Sequence, residues 1–279
     1  MDQRRTPDAI ASYLAATSTA VTIPGAEPSF LPGGEAAFLM LHGWGASAES
    51  LRFLAEGVAA AGYAVLAPTL PGHGTTPIQM MATGPLDWIA AAREALHLLG
   101  GYFERIYVLG VSMGGALTLQ LASLERAALS GIITVNAPIF FNRPPFATEL
   151  MSGPPDGMLP AWSGPDFVGP TVSEITYPER SRKSGIDLMA MAALAREALP
   201  LIAAPLLVIQ SVHDHIVPKA NGDEILARAG SSRKSVTWLE QSYHMSQLDL
   251  DRDQVIFRSL NFVQSLEHVA SAKGVGRAS

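Results

Sequence analysis

The sequence contains no cysteine among its 279 residues. Disulfide bonds, thiol nucleophiles and thiolate metal ligands are therefore excluded. No uncharged apolar run approaches the roughly 20 residues that a transmembrane helix needs, so we expect no integral membrane segment. Arg4 and Arg5 near the start are not followed by an apolar stretch. We therefore expect no secretory signal peptide, and a cytoplasmic location is the prediction.

A basic excess is also missing. The chain has a formal net charge of −6 and a pI near 5.6, and it contains no run of lysine and arginine. A nucleic-acid partner is therefore not expected. Hydrophobic residues make up 48% of the chain, which is typical of a globular protein with a large core. At this length we expect one α/β domain.

Short apolar runs alternate with segments of helical pattern along most of the chain. Each run has the length of one strand and is apolar throughout, as the buried strands of a parallel sheet are. The alternation predicts an α/β fold with a mostly parallel, doubly wound sheet, and functional loops at the carboxyl ends of its strands. The predicted strands cover residues 28–31, 36–41, 63–67, 106–109, 131–136, 205–210 and 236–240.

Two segments fall outside this alternation. Residues 1–24 contain a short predicted helix and are interpreted as an N-terminal helical extension, ahead of a main domain at residues 25–279. Residues 138–200 hold many prolines and glycines, which indicates a cap or lid insertion. Its large apolar side chains are expected to roof an acyl pocket or to pack on the main core. They are Phe140, Phe141, Phe146, Met151, Met158, Trp162, Phe167, Met189 and Met191.

A glycine-flanked serine, Ser112, stands between a predicted strand and a predicted helix. Gly110 and Gly114 complete the pattern G-x-S-x-G, the form of a nucleophile elbow. In such a turn the serine hydroxyl is exposed at the positive end of a helix, where a developing oxyanion is stabilised. A glycine-rich turn with an incidental serine is the alternative. We take Ser112 as the candidate nucleophile.

A serine nucleophile needs a base, because a free hydroxyl is a poor nucleophile at neutral pH. In folds with this elbow the acid and then the histidine follow the serine, each after a strand. Of seven histidines, His244 alone lies between the last predicted strand and the last predicted helix. Asp214 follows the strand at residues 205–210 and is the candidate acid that orients the histidine. Structural roles, such as a turn cap for Asp214, are the alternatives.

Asp214 lies between His213 and His215, a pattern that also raises the alternative of a metal site. Adjacent residues of an extended loop point in different directions, and the sequence supplies no second cluster of ligands. We therefore expect neither a metal nor another cofactor.

An oxyanion is stabilised by two backbone N–H groups in sites of this kind. The residue after the nucleophile, Met113, is expected to supply one. By position, Trp44 supplies the other, from the loop that follows the strand at residues 36–41. The Trp44 indole either lines the acyl pocket or packs against its neighbours. Substrate contacts are expected from Trp44, Met189, Met191 and Ile216.

Five motifs follow one another in the order of the α/β-hydrolase superfamily. They are LMLHGWG, PGHG, GVSMGG, VIQSVHDHIVP and SYHM, at residues 39–45, 71–74, 110–115, 208–218 and 242–245. The chain most resembles bacterial carboxylesterases and monoacylglycerol-lipase-like serine hydrolases. Two departures stand out: Tyr243 replaces the small residue usual before the histidine, and the helix before residue 24 has no counterpart.

The resemblance implies the fold, the triad Ser112, Asp214 and His244, the two oxyanion donors and ester hydrolysis. The expected partner is a small-molecule ester, either a small to medium carboxylic ester or a monoacylglycerol, cleaved through an acyl-enzyme. Two alternatives keep the same residues. One is hydrolysis of an amide or a C–C bond, and the other is a small-molecule receptor without turnover, because fold alone does not decide function.

Overall fold

A computed structural model describes residues 6–142, 144–160, 166–170 and 172–275. Residues 1–5 of the predicted N-terminal extension, residues 276–279 of the predicted main domain and Trp162 of the predicted roof lie outside these ranges. The strands are β1 (Ser29–Leu31), β2 (Ala36–Leu41), β3 (Ala64–Ala67), β4 (Arg105–Val111), β5 (Gly131–Val135), β6 (Met158–Pro160), β7 (Glu179–Ser181), β8 (Leu206–Ser211) and β9 (Lys234–Leu239).

Helices follow the strands from β2 to β5 and from β7 to β9, in the expected alternation. The helices are α1 (Asp8–Ser18), α2 (Arg52–Ala60), α3 (Pro77–Met81), α4 (Pro85–Gly100), α5 (Met113–Leu124), α6 (Pro144–Met151), α7 (Arg182–Ala198), α8 (Ala220–Arg228) and α9 (Arg252–Val275). Short 3₁₀ turns precede α2 and follow α7. Within the described ranges no helix has both the length and the apolarity needed to cross a bilayer.

Seven strands form one sheet in the order β1-β3-β2-β4-β5-β8-β9, and all but the edge strand β1 run parallel. Side chains of a strand alternate between the two faces. Leu39 and Leu41 of β2 accordingly pack beneath α4, α5 and α7, whereas Phe38 and Met40 pack beneath α2 and α9. The predicted parallel, doubly wound sheet of the α/β-hydrolase fold is confirmed.

The predicted insertion divides into two parts. Helix α7 packs on α5, and its Met191 and Ala195 are fully buried in the core on that side of the sheet. The helix therefore belongs to the main core, because its apolar face completes the layer over α5. We use the name cap for residues 138–181, which hold α6 and the antiparallel pair β6–β7.

The cap is hydrogen-bonded to the main domain on two sides. The Tyr177 hydroxyl donates to the carbonyl of Gly72 at 2.7 Å and accepts the N–H of Thr75 at 2.9 Å. On the other side, the Asp249 carboxylate accepts the N–H groups of Val168 and Gly169, each at 2.8 Å. These bonds attach both edges of the cap to loops at the carboxyl end of the sheet.

The N-terminal extension lies outside the sheet and docks against the main domain. Ile10 of α1 is fully buried in the core beneath α4 and α5. After the helix, the N–H groups of Thr22 and Ile23 both donate to the carbonyl of Gly74, at 2.9 and 3.0 Å. The extension is therefore bonded to the same turn, residues 72–75, to which Tyr177 of the cap is hydrogen-bonded.

Candidate active site

Ser112 occupies the sharp turn between β4 and α5. Its φ of 54° and ψ of −121° place it in a conformation that L-residues rarely adopt. Backbone strain of this kind persists only where the surroundings enforce it, and it concentrates at functional sites. The turn sets the serine at the N-terminus of α5, where the helix dipole is positive.

The glycines on either side of Ser112 are required by close packing. A Cβ atom on Gly110 would run into the carbonyl of Gly114, and one on Gly114 would run into the carbonyl of Leu41. Because a backbone carbonyl cannot swing aside as a side chain can, only glycine fits either position. The strand, the turn and the helix are thereby held in tight register.

Ser112, His244 and Asp214 meet at the carboxyl edge of the sheet. His244 Nε2 lies 2.9 Å from Ser112 Oγ, and His244 Nδ1 lies 2.8 Å from Asp214 Oδ2. The second oxygen of Asp214 accepts the backbone N–H groups of Ile216 and Val217 at 2.8 and 2.7 Å. The three residues come from loops after β4, β8 and β9, and form the chain of contacts expected of a nucleophile, a base and an orienting acid.

Opposing effects act on the His244 imidazole. Burial lowers its pKa, but the charges of Asp214, Asp166 and Glu174 and the hydrogen bond to Asp214 raise it, and the net direction is upward from 6.5. Carboxylates that face the ring favour the imidazolium, the form a base takes after it removes a proton. This environment suits a histidine that must accept a proton and then return it.

The loop after β2 lies directly against the nucleophile. A Cβ built on Gly43 would be 3.4 Å from Ser112 Cβ and 3.9 Å from Ser112 Oγ. His42 fixes this loop: its Nδ1 lies 2.9 Å from the Gly43 carbonyl, and its Nε2 accepts the Leu70 N–H at 3.0 Å. Burial lowers the pKa of His42 to about 4, so the ring is neutral and Nδ1 is the donor. The loop therefore brings Trp44 beside Ser112.

Met113, the other predicted donor, is the first residue of α5. The N–H groups of a helix's first turn have no partner within the helix and point outward along its axis. The Met113 N–H therefore has no acceptor within α5, as a donor to an oxyanion requires, and its part in an oxyanion hole stays a prediction.

A cap residue covers the Trp44 side chain. The Arg180 guanidinium lies 4.5 Å from the centroid of the Trp44 ring, a cation–π contact. Arg180 Nη2 also donates to Thr176 Oγ1 at 2.8 Å. A Cβ on Gly45, which has a φ of +76°, would come within 2.6 Å of Arg180 Nε. The cap therefore packs directly on the loop expected to hold the oxyanion.

A cavity of about 530 Å³ opens over Ser112 and His244, within the usual size range of small-molecule sites. Trp44 and Ile216 line it, as predicted from the sequence. Met189 and Met191 are not among its lining residues, and Leu188 of the same helix lines it instead. Met191 points into the core, because the face of α7 that carries it packs on α5. The apolar lining includes Trp44, Ala46, Val111, Phe141, Val172, Leu188, Ile216 and Met245.

The cap also contributes polar side chains to this cavity. Ser173, Glu174, Thr176 and Arg180 line it. Burial raises the pKa of Glu174 to about 7, although the nearby charges of Arg180 and His244 act in the opposite direction. The cavity thus has both apolar and hydrogen-bonding lining residues, and Glu174 is close enough to His244 for their charges to interact.

Asn136, directly after β5, holds the loop of His244, although no sequence motif marks it. Its Nδ2 donates to the His244 carbonyl at 2.7 Å and to Ser246 Oγ at 3.1 Å, and its Oδ1 accepts the Ser211 N–H at 2.7 Å. It is fully buried with a φ of 49°. Asparagine tolerates positive φ better than most residues, so an asparagine directly after an apolar strand is the signal that the sequence offers for it.

The residues around Asp214 and His244 do not gather as metal ligands. His215 Nδ1 pairs with Asp166 Oδ1 at 2.7 Å, and its ring lies 4.2 Å from that of Tyr243. Among the residues that the structure describes, no group of three or more His, Asp or Glu side chains is arranged to hold a metal ion. Tyr243, which replaces the small residue usual in the resembled proteins, thus packs against His215.

Comparison with known proteins agrees with this geometry. Residues 38–256 match the alpha/beta hydrolase family. The chain is 36% identical over 243 residues to the thermostable monoacylglycerol lipase of Bacillus sp. (strain H-257), covering 86% of this chain and 95% of that protein. It is 28% identical over 251 residues to the carboxylesterase of Bacillus subtilis (strain 168), covering 86% of this chain and 97% of that protein.

Solved structures of lipolytic enzymes are also similar to this chain. A structure described for LipS and LipT, two metagenome-derived lipolytic enzymes, matches with a TM-score of 0.83 at 39% identity, covering 88% of this chain and 99% of that one. The monoacylglycerol lipase of Paleococcus ferrophilus matches with a TM-score of 0.72 at 18% identity, covering 86% and 97%. The second match supports the fold alone.

Proposed function

Because this chain belongs to the alpha/beta hydrolase family and is an ester-hydrolysing enzyme, we propose that it cleaves esters through an acyl-enzyme on Ser112. The observation that carries the assignment of residues is the continuous contact from Ser112 Oγ through the His244 ring to Asp214, at 2.9 and 2.8 Å.

The proposed reaction has two halves. Ser112 Oγ attacks the ester carbonyl carbon as its proton passes to His244 Nε2, and the N–H groups of Trp44 and Met113 bind the resulting oxyanion. Collapse breaks the bond to the alcohol, which takes the proton from His244. Water then gives a proton to His244 and attacks the acyl carbon, and the acid leaves as Ser112 recovers its proton. Asp214 keeps Nε2 of His244 directed at the serine throughout.

The cavity favours an ester with an apolar acid and a polar alcohol. His244 must protonate the leaving alcohol, so the alcohol lies on its side of the cavity. Glu174 lies close enough to His244 for the two charges to interact, and Thr176 and Arg180 line the same cavity. An alcohol with further hydroxyl groups fits these partners, whereas Phe141 and Leu188 suit an acyl chain. We therefore propose monoacylglycerols of short to medium chain as preferred substrates.

A paired set of substrates tests this proposal. Monoacylglycerols and methyl esters of the same acids, from four to sixteen carbons, would be compared by kcat/KM for the wild type, Ser112→Ala and Glu174→Gln. We expect Ser112→Ala to lose both activities and Glu174→Gln to lose mainly the preference for glycerol esters. Each added methylene should raise kcat/KM up to about fourfold until the pocket is full. Equal use of both alcohols by the wild type would contradict the monoacylglycerol preference, and faster cleavage of matched amides would contradict ester hydrolysis as the main activity.

The cytoplasmic location stays a prediction. Fractionation of the source cells, followed by immunodetection of the chain, would test it.

A further inference from the structure

Asp166 of the cap bridges the two loops that carry the histidine and the acid. Its Oδ2 accepts the backbone N–H of His244 at 3.0 Å and that of His215 at 3.3 Å. Its Oδ1 lies 2.7 Å from the ring Nδ1 of His215, and its main-chain oxygen accepts the Met245 N–H at 3.3 Å. One cap residue therefore joins the loop of Asp214 to the loop of His244.

These contacts complete the fixation of His244. Asn136 binds its carbonyl from the core, Asp166 binds its N–H from the cap, and Asp214 binds its ring Nδ1. A ring whose main chain is held on both sides cannot shift along the loop. Small shifts of a reacting group are costly, since a misplacement of about 1 Å loses on the order of 10²-fold in rate.

The cap segment that contains Asp166 is itself held by a second carboxylate, that of Asp249. Val168 and Gly169, two and three residues further on, donate their N–H groups to the Asp249 carboxylate. Asp249 follows the His244 loop and precedes α9. Asp166 is thus held against the catalytic loops by a second carboxylate that binds the same segment.

Asp166 also contributes charge. The charged groups that act on His244 are Asp214, Asp166 and Glu174, from the β8 loop and the cap, and all three favour the protonated ring. Asp166 differs from Asp214 in that its hydrogen bond goes to the main chain of His244, so its effect on the ring acts through space.

We propose that Asp166 is a positioning residue for the reaction: from the cap it holds the main chain of His244 and places a further negative charge beside the ring. This inference rests on the proposed function, since it assigns Asp166 a part in the work of the same histidine. The cap then contributes to catalysis as well as to substrate choice, and no sequence motif marks the residue.

The test compares four proteins: wild type, Asp166→Asn, Asp249→Asn and Asp223→Asn. The Asp166→Asn variant keeps the shape and one acceptor but removes the charge beside His244. The Asp249→Asn variant loosens the same cap segment while Asp166 remains. Asp223 pairs with Lys219 on the surface of α8, so its variant controls for loss of one carboxylate. The readouts are the His244 titration by NMR and the pH dependence of fluorophosphonate labelling.

We expect Asp166→Asn to lower the pKa of His244, but by less than loss of a direct ion pair would, because Asp166 contacts the main chain. The acid limb of the labelling rate should move down by the same amount, and kcat should fall about tenfold with KM little changed. Asp249→Asn should lower kcat without an equal shift of the titration, and Asp223→Asn should match the wild type.

A His244 titration in Asp166→Asn that coincides with the wild type would overturn the proposal, whatever the loss of rate. If Asp166→Asn does not fold, Asp166→Glu serves in its place: it keeps the charge, so we expect a lower kcat with the titration retained, and a large downward shift would overturn the proposal. Failure of the proposed function would show differently, as absence of ester turnover and of labelling at Ser112, while the NMR titration still reads Asp166.

Discussion

Replacement of Asn136 offers a sharp test of how the fold holds the histidine. Its carboxamide is fully buried and bridges the Ser211 N–H and the His244 carbonyl. Asn136→Ala leaves both backbone groups without this partner, and each buried unsatisfied group costs about 1–3 kcal/mol. We expect Asn136→Ala to lower the free energy of unfolding by about 2–6 kcal/mol, a large part of the roughly 5–15 kcal/mol of a typical domain.

The backbone conformation adds a second expectation. At φ of 49°, alanine is strained by about 1 kcal/mol relative to glycine. Asn136→Gly should therefore be less destabilising than Asn136→Ala by about 1 kcal/mol. This reverses the usual order, in which glycine is the worse replacement within regular structure. Both variants should lose on the order of 10²-fold in kcat, since the His244 loop loses its attachment to β5.

Urea unfolding and the initial rate with p-nitrophenyl butyrate measure the two effects. Asn221→Ala is the matched control, because this asparagine is also fully buried and accepts two backbone N–H groups, those of Ile139 and Phe140 at 2.7 and 3.0 Å. It should be destabilised comparably with a much smaller loss of kcat. An Asn136→Ala protein that matches the wild type in both stability and kcat would show that Asn136 does not hold the His244 loop. An Asn221→Ala protein that loses as much kcat would show that the loss is not specific to that loop.

Three further expectations concern the site. Trp44→Ala should cost less than the roughly 10²–10³-fold in kcat that loss of an oxyanion donor costs, because alanine keeps the backbone N–H; a larger drop in single-turnover rate would assign the indole a catalytic part. Since the pKa of His244 is raised and the neutral ring is the base, the acid limb of kcat/KM should have its midpoint above 6.5, and a midpoint below that value would contradict the described charges. Leu188→Phe should shorten the preferred acyl chain in the ester panel whereas Met189→Phe should not, and the reverse result would restore the methionine as the lining residue.

The sequence predicted those elements whose pattern is local. The strand at residues 36–41 coincides with β2, because a fully apolar run bounded by glycine and a turn has few other solutions. The positions of Ser112, Asp214 and His244 followed from the order of loops after parallel strands. The structure then places the three side chains in contact.

The helix and strands of the cap could not be predicted from the sequence, because they depend on tertiary contacts. Helix α6 and the β6–β7 pair lie in a proline-rich stretch. Its apolar residues follow neither a helical nor a strand period, so the buried face of each element is defined only by its packing on the core. Met191 was predicted to line the pocket because its chemistry suits an acyl chain, but its direction depends on how α7 packs on α5. The contacts of Asp166 and Asn136 likewise join residues 78 and 108 positions apart, which no local pattern specifies.

The proposed mechanism depends on Ser112 as the residue that forms the covalent acyl-enzyme. The most direct measurement is residue-level mass spectrometry after reaction with a fluorophosphonate, alongside the ester turnover of Ser112→Ala. We predict one adduct per chain, on Ser112, formed in parallel with loss of activity, and a fall in kcat of about 10⁴–10⁶-fold in a folded Ser112→Ala protein. An adduct on another serine, or a Ser112→Ala protein that turns over esters at near the wild-type rate, would contradict the proposed mechanism.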